Sequence, residues 1–214
     1  MKKKILVACL CVALAVLTVA GTTLAYLTSQ DKVTNTFTVG NVTMTLDEAK
    51  VDTNGDAITG EGADRVKTND YMLYPGHEYD KDPTVHVAAG SSHSWIFIKV
   101  KNELAPLEST AAGYKSINTQ ITENGWTVYT DANETGYTVY YKEHNTAEAK
   151  DYTVFNGFTL SDGANNVKVT GSETTVWSTI TAKKELVTVT AYAIQYDGFE
   201  TVAKAWTQAK TLDA

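Results

Sequence analysis

The stretch YLTSQDKVTNTFTVGNVTMTL, residues 26–46, decides how this chain folds. Leu27, Val33, Phe37 and Val39 fall on odd positions, while Tyr26, Thr28, Gln30, Lys32, Thr34, Thr36 and Thr38 fall on even ones. A period of two carried by β-branched and aromatic residues marks a strand with one buried face. Beyond Gly40 the apolar residues Val42, Met44 and Leu46 move to even positions. A one-residue slip turns every later side chain to the opposite face, so Gly40 is expected at a bulge or tight bend between two strand segments.

Upstream of this stretch the sequence changes character. Lys2, Lys3 and Lys4 form a basic cluster, residues 5–20 are almost uninterruptedly apolar, and Gly21, Thr22, Thr23, Leu24 and Ala25 supply small residues. That order predicts a secretory signal peptide over residues 1–25, cleaved between Ala25 and Tyr26. An apolar run of about 16 residues falls short of the roughly 20 that cross a bilayer as a helix, so no stable membrane anchor is expected after processing. Both cysteines, Cys9 and Cys11, belong to this segment. Leu6-Val7-Ala8-Cys9 imitates a lipobox but stands at the start of the apolar run, where a processing site should end it. The processed chain has neither disulfides nor thiolate chemistry.

Removing residues 1–25 takes three lysines and no acid from 18 basic and 25 acidic residues, which leaves a formal charge of −10 on 189 residues. Such a surface is repelled by nucleic acid and by anionic headgroups. The expected location is outside the cell, in the extracellular matrix or at the cell surface.

Downstream the strand signal recurs at residues 84–87, 94–101, 126–129, 137–142, 151–160, 166–170 and 186–195. Turn formers separate these runs, among them Ala89-Gly90, Asn124-Gly125, Asn156-Gly157 and Asp162-Gly163. Residues 47–69, rich in acids, glycine and asparagine, read as a long surface loop or hairpin. Only residues 199–209 show helical spacing, with Phe199, Val202, Ala203 and Trp206 at i, i+3, i+4 and i+7 behind Asp197-Gly198. The prediction is an all-β fold, an antiparallel β-sandwich or jelly roll over residues 41–214, with one short C-terminal helix across one sheet.

Several of these residues resemble a known group. Thr22-Thr23-Leu24-Ala25-Tyr26-Leu27-Thr28, followed by Val33-Thr34-Asn35-Thr36-Phe37-Thr38-Val39-Gly40-Asn41-Val42, is similar to the start of proteins processed by the SipW signal peptidase of Gram-positive bacteria. These are the TasA and camelysin group. Leu73-Tyr74-Pro75-Gly76 before residues 94–101 resembles the group's proline-glycine turn, and residues 187–195 before Asp197-Gly198-Phe199 its closing strand and helix entry. The resemblance implies a non-enzymatic jelly-roll subunit of extracellular biofilm fibres, in which the freed N-terminal strand of one copy completes the sheet of the next. Carried onto this chain, residues 26–40 form the N-terminal segment, and the donor strand is Tyr26, Leu27, Thr28, Ser29, Gln30, Asp31, Lys32 and Val33. The partners are the chain itself, head to tail, and a signal peptidase of the SipW type.

Simple energetics make that transfer reasonable. Burial of two or three of Leu27, Val33 and Phe37 contributes about 1.5 to 3 kcal/mol each, and each ladder hydrogen bond about 1. Ordering some eight residues costs about 1 to 2 kcal/mol apiece, so the terms nearly cancel. Pairing then depends on a groove already shaped, and the uncleaved signal blocks it. Processing is the switch. The alternative is that residues 26–39 pair within their own subunit.

Two other classes remain open, a camelysin-like surface metalloendopeptidase and a monomeric surface adhesin. For the first, His77-Glu78 begins as a helical zinc motif does, but the fifth position is Lys81 and Asp82-Pro83 disfavours a helix. The spacing of His77, His86, His93 and His144 asks for no metal, and neither a catalytic residue nor a metal ligand is assigned. Asp52-Thr53-Asn54-Gly55-Asp56 resembles the opening of a calcium loop, but its glycine comes early and Ala63 stands at the terminal glutamate position. An Asn-Gly turn with at most weak calcium binding is expected, and no cofactor. For the second class, Trp95, Phe97, Trp126, Tyr129, Tyr137, Tyr140, Tyr141 and Trp177 are read as core or cross-strand aromatics before a sugar-binding face. Residues 210–214 carry neither a sortase signal nor an apolar anchor.

Overall fold

A computed structural model of the chain describes residues 41–162 and 186–213, which lie within the unit that begins at Gly40. The strands are β1 (Met44–Ala49), β2 (Arg65–Val66), β3 (Glu78–Asp80), β4 (Thr84–Val87), β5 (Ser94–Asn102), β6 (Thr127–Val128), β7 (Thr138–His144), β8 (Lys150–Thr153), β9 (Gly157–Thr159) and β10 (Val187–Gln195). The helices are α1 (Ile117–Glu123) and α2 (Val202–Ala209). Every strand pair is antiparallel. One sheet runs β2-β1-β4-β8, a second β10-β5-β7-β6, and β3 pairs with β9. The fold is all-β with a short C-terminal helix.

β5 explains the layering. Ile96, Ile98 and Val100 point into a core shared with Val85 and Val87 of β4 and Tyr152 of β8. Trp95 and Phe97 point the other way, onto Ala205, Trp206 and Ala209 of α2. A strand covered on both faces needs apolar residues at consecutive positions, hence the unbroken run Trp95-Ile96-Phe97-Ile98. Register carries the division to β10, where Ala191 lies opposite Ile98 and Val189 opposite Val100.

The helix packs across this second sheet as expected, with its face turned slightly. Ala205 and Ala209 are inside with Trp206, while Ala203 is exposed. Phe199 stays in the preceding turn, where its carbonyl accepts the Trp95 indole N–H at 2.9 Å. Thr201 caps the first turn by accepting from the Lys204 amide, satisfying one of the helix's unpaired donors.

Two expectations need correction. A second helix, α1, occupies residues that show only Ile117 and Ile121 on an inward face; the Ser116 side chain accepts from the Thr119 amide at its start. Residues 151–160 are not one strand but β8 and β9, which pair with β4 and β3 respectively. Of the two alternatives for residues 47–69, loop or hairpin, the structure shows the hairpin: β1 pairs with β2 through Glu48 opposite Val66, and a bridge joins Val51 to Ala57. The expected strands at 26–39 and 166–170, the bend at Gly40, the Ala25 cleavage site and Trp177 lie outside the described residues.

Candidate functional site

The two sheets close unevenly. On β5, Ile98 is 0% and Val100 2% exposed. The same inward row on β10, Val187, Val189, Ala191 and Ala193, is only half-buried, as are Met44 and Leu46 on β1. Between the β1 and β10 sides lies a groove of about 880 Å³ with a mixed lining: Leu46, Leu73, Leu104, Phe158 and Val189 are apolar, while Asp47, Glu48, Lys67, Asp70 and Lys81 are charged. Leu104 and Phe158, 1% and 3% exposed, belong to the main core. The apolar part of this opening therefore leads directly to the core.

Strand order makes this opening unusual. Among the described residues β10 has β5 on one side and no strand on the other. Its sequence, VTVTAYAIQ, is nine residues long with neither charge nor proline, the devices by which exposed edges are normally blunted. On β1 the outer side of Met44 to Asp47 lies beyond β2, which pairs only with Glu48 and Ala49; Lys67 donates there to the Leu46 carbonyl. A long unguarded edge beside a groove that reaches the core suits recognition by strand addition, with ladder bonds for affinity and alternate side chains for specificity.

The histidines are dispersed to separate partners. The His77 ring packs on Tyr79 at 4.6 Å and its Nε2 lies 2.7 Å from the Asn54 carbonyl; Glu78 belongs to β3 and not to a helix. His93 stacks on Tyr196 at 4.0 Å and pairs with Glu143 at 2.7 Å. His144 is fully buried against the Tyr152 hydroxyl, and burial pushes its pKa down. His86 bridges Asp47 and Asp151, at 2.9 and 2.6 Å. Burial opposes its protonation, but the hydrogen bonds to Asp151 and Asp47 prevail and hold its pKa above the ordinary value. No group of three or more histidine, cysteine or acidic side chains suited to a metal occurs among the described residues.

The Asp52 segment is a closed turn. Its carboxylate accepts from the Asn54 and Asp56 amides at 2.7 and 3.1 Å, and Gly55, at φ +90°, lies so close to Tyr79 that a Cβ would meet the ring at 2.4 Å. Of the aromatic candidates for a sugar face, Trp95, Phe97, Trp126 and Tyr140 are buried, and Tyr129 and Tyr141 pack partly buried against the helix-side core. Tyr137, at the rim, stacks under Lys99.

Sequence reading missed one cluster. Glu48 continues the inward row of Met44 and Leu46, so a carboxylate sits where a core residue belongs, 5% exposed. It is held by Lys81 and Asn69, both from stretches without a periodic signal. The signal available was the parity of Glu48 itself.

Comparison with protein-family models, with curated proteins and with solved structures returns no match.

Proposed function

We propose that this chain is a secreted structural subunit of extracellular matrix or cell-surface fibres, of the TasA/camelysin kind, polymerised by its own N-terminal strand. Signal-peptide removal at Ala25 frees Tyr26 to Val33, and that strand enters the groove beside β10 of the next copy. The observation that carries this reading is the β10 edge, uncharged and with no further strand among the described residues, beside an opening that reaches the core at Leu104 and Phe158. The donor brings two apolar side chains, Leu27 and Val33, with the chemistry of Leu46, Leu73 and Val189. A contact between unlike surfaces of identical copies repeats without closing, and its product is a filament.

Sedimentation of the chain starting at Tyr26, beside one lacking residues 26–32, tests the proposal. The first should pellet as polymer and the second remain a folded monomer. Equal behaviour of the two would remove the donor-strand reading. No observation favours the peptidase or adhesin readings over this one.

A further inference from the structure

The Glu48 cluster has the composition and connectivity of a self-crosslinking site. One carboxylate holds an amine and a carboxamide at once: Oε2 accepts from the Lys81 ammonium, and Oε1 accepts from the Asn69 Nδ2 at 3.0 Å. The carboxamide is fixed on its remaining sides, because Nδ2 also donates to the Ala49 carbonyl at 2.8 Å and Oδ1 accepts from the Val51 amide at 3.0 Å. The Tyr71 ring covers the amine, with Nζ 5.4 Å from its centroid. Burial, and then the charge of Glu48, push the Tyr71 hydroxyl well above its ordinary pKa, as in a poorly hydrated site. Glu48 and Lys81 side chains are 6% and 12% exposed.

We infer that Lys81 and Asn69 become joined by an intramolecular amide bond, with Glu48 as the proton carrier. The proton moves from Lys81 Nζ to the Glu48 Oε2 that already accepts its hydrogen bond. The resulting neutral amine is the nucleophile, and the Asn69 Cγ, whose amide is hydrogen-bonded to the same carboxylate, is the electrophile. Its lone pair forms the new N–C bond; the developing oxyanion is Oδ1, which already faces the Val51 N–H. Collapse breaks the Cγ–Nδ2 bond. The protonated Glu48, hydrogen-bonded to Nδ2, donates to the leaving nitrogen, which departs as ammonia; the regained carboxylate then takes the surplus proton from the new amide nitrogen and passes it to the ammonia. One ammonium and one primary amide become one secondary amide and one ammonium ion, with no oxidant or metal in the balance. The bond ties the β1–β2 hairpin's return strand to the entrance of β4, in a chain whose processed part has no cysteine with which to do so.

Glu48, Asn69, Tyr71 and Lys81 line the groove of the fibre proposal, but this inference does not depend on that proposal and is tested without assembly. The purified full chain is weighed intact under denaturing conditions and then digested and sequenced by mass spectrometry. It should be one ammonia lighter than its sequence and yield a branched peptide joining Lys81 to Asn69. Lys81→Arg and Glu48→Gln should each restore the full sequence mass, and Asn69→Asp should shed water in place of ammonia. A wild-type chain of full mass, with the two peptides recovered separately, overturns the inference. So does an ammonia loss that persists in Lys81→Arg, because that loss belongs to Asn69 cyclising on its own backbone.

Discussion

The two lateral sides of this sandwich treat their strand edges in opposite ways. On one side the sheets end in β6, two residues long, and in β8, which carries Lys150 and Asp151. Asp151 is clasped by His86, which also holds Asp47, so the charged edge is fastened to its own sheet. On the other side β10 ends the second sheet with nine uncharged residues beside a groove into the core. Edges are aggregation hazards that folded proteins blunt by shortness or charge. Among the described residues one side is blunted and the other is not, and the proposed strand addition uses that difference.

The comparison breaks most visibly if a charge is placed on each side in turn. Val189→Glu puts a carboxylate into the groove, forfeiting about 1.5 to 3 kcal/mol of apolar burial and adding the cost of desolvating a charge. Assembly should weaken by roughly 100-fold or more, while far-UV circular dichroism stays that of the folded chain. Val128→Lys on β6, already 39% exposed, should leave assembly unchanged. Equal effects from the two would erase the distinction.

Next in size is the contrast between the shared interior and the open side. Ile98→Ala removes a fully buried side chain from the middle of the central strand and should cost about 2 to 5 kcal/mol in denaturant unfolding of the monomer. Val187→Ala, half-buried at the groove, should cost less, of the order of 1 kcal/mol. Comparable losses would mean that the groove is sealed in the monomer.

The smallest effect concerns the His86 clasp. Its folded pKa is raised, so the contribution is fully present below the unfolded value near 6.5 and is lost as pH rises through the folded one. Asp47 works in the opposite sense. Burial would raise its pKa, but hydrogen bonds from Arg65 and His86 lower it, so its contribution is present above about 4 and lost as pH falls through the folded pKa. Asp151 is 67% exposed, so solvent limits the whole clasp to under about 1 kcal/mol. Wild type and His86→Gln should differ in urea midpoint at pH 5.5 and converge by pH 9. A constant difference would show the clasp to be packing alone.

What sequence reading recovered follows from packing symmetry. The strand at 84–87 matches β4 residue for residue, and the apolar run at β5 announces a strand covered on both faces. Tyr74-Pro75-Gly76-His77 is a turn as expected, with Gly76 at φ +72° and the His77 amide donating to the Tyr74 carbonyl. Elements of two or three residues, β2, β3 and β6, are too short to carry a period of their own; β6 was anticipated, the others were not. α1 shows two inward isoleucines among threonine, asparagine and glutamine, too few for a helical stripe. The groove could not be read at all, because an open edge is a property of sheet order and not of any one segment. Glu48 stayed hidden because its partners, Asn69 and Lys81, are distant in sequence and are brought together only by the hairpin and the approach to β4.

The most direct test of the open side uses the absence of cysteine after residue 25. One population carries Leu27→Cys, another carries Val189→Cys, with Val187→Cys and Ala191→Cys as register alternatives, and the two are mixed, assembled and oxidised. Heterodimers joined through a donor cysteine of one copy and a β10 cysteine of another are the predicted product. Crosslinking that occurs only when both cysteines share one chain, and only as monomer, would contradict intermolecular insertion and place residue 27 on its own subunit.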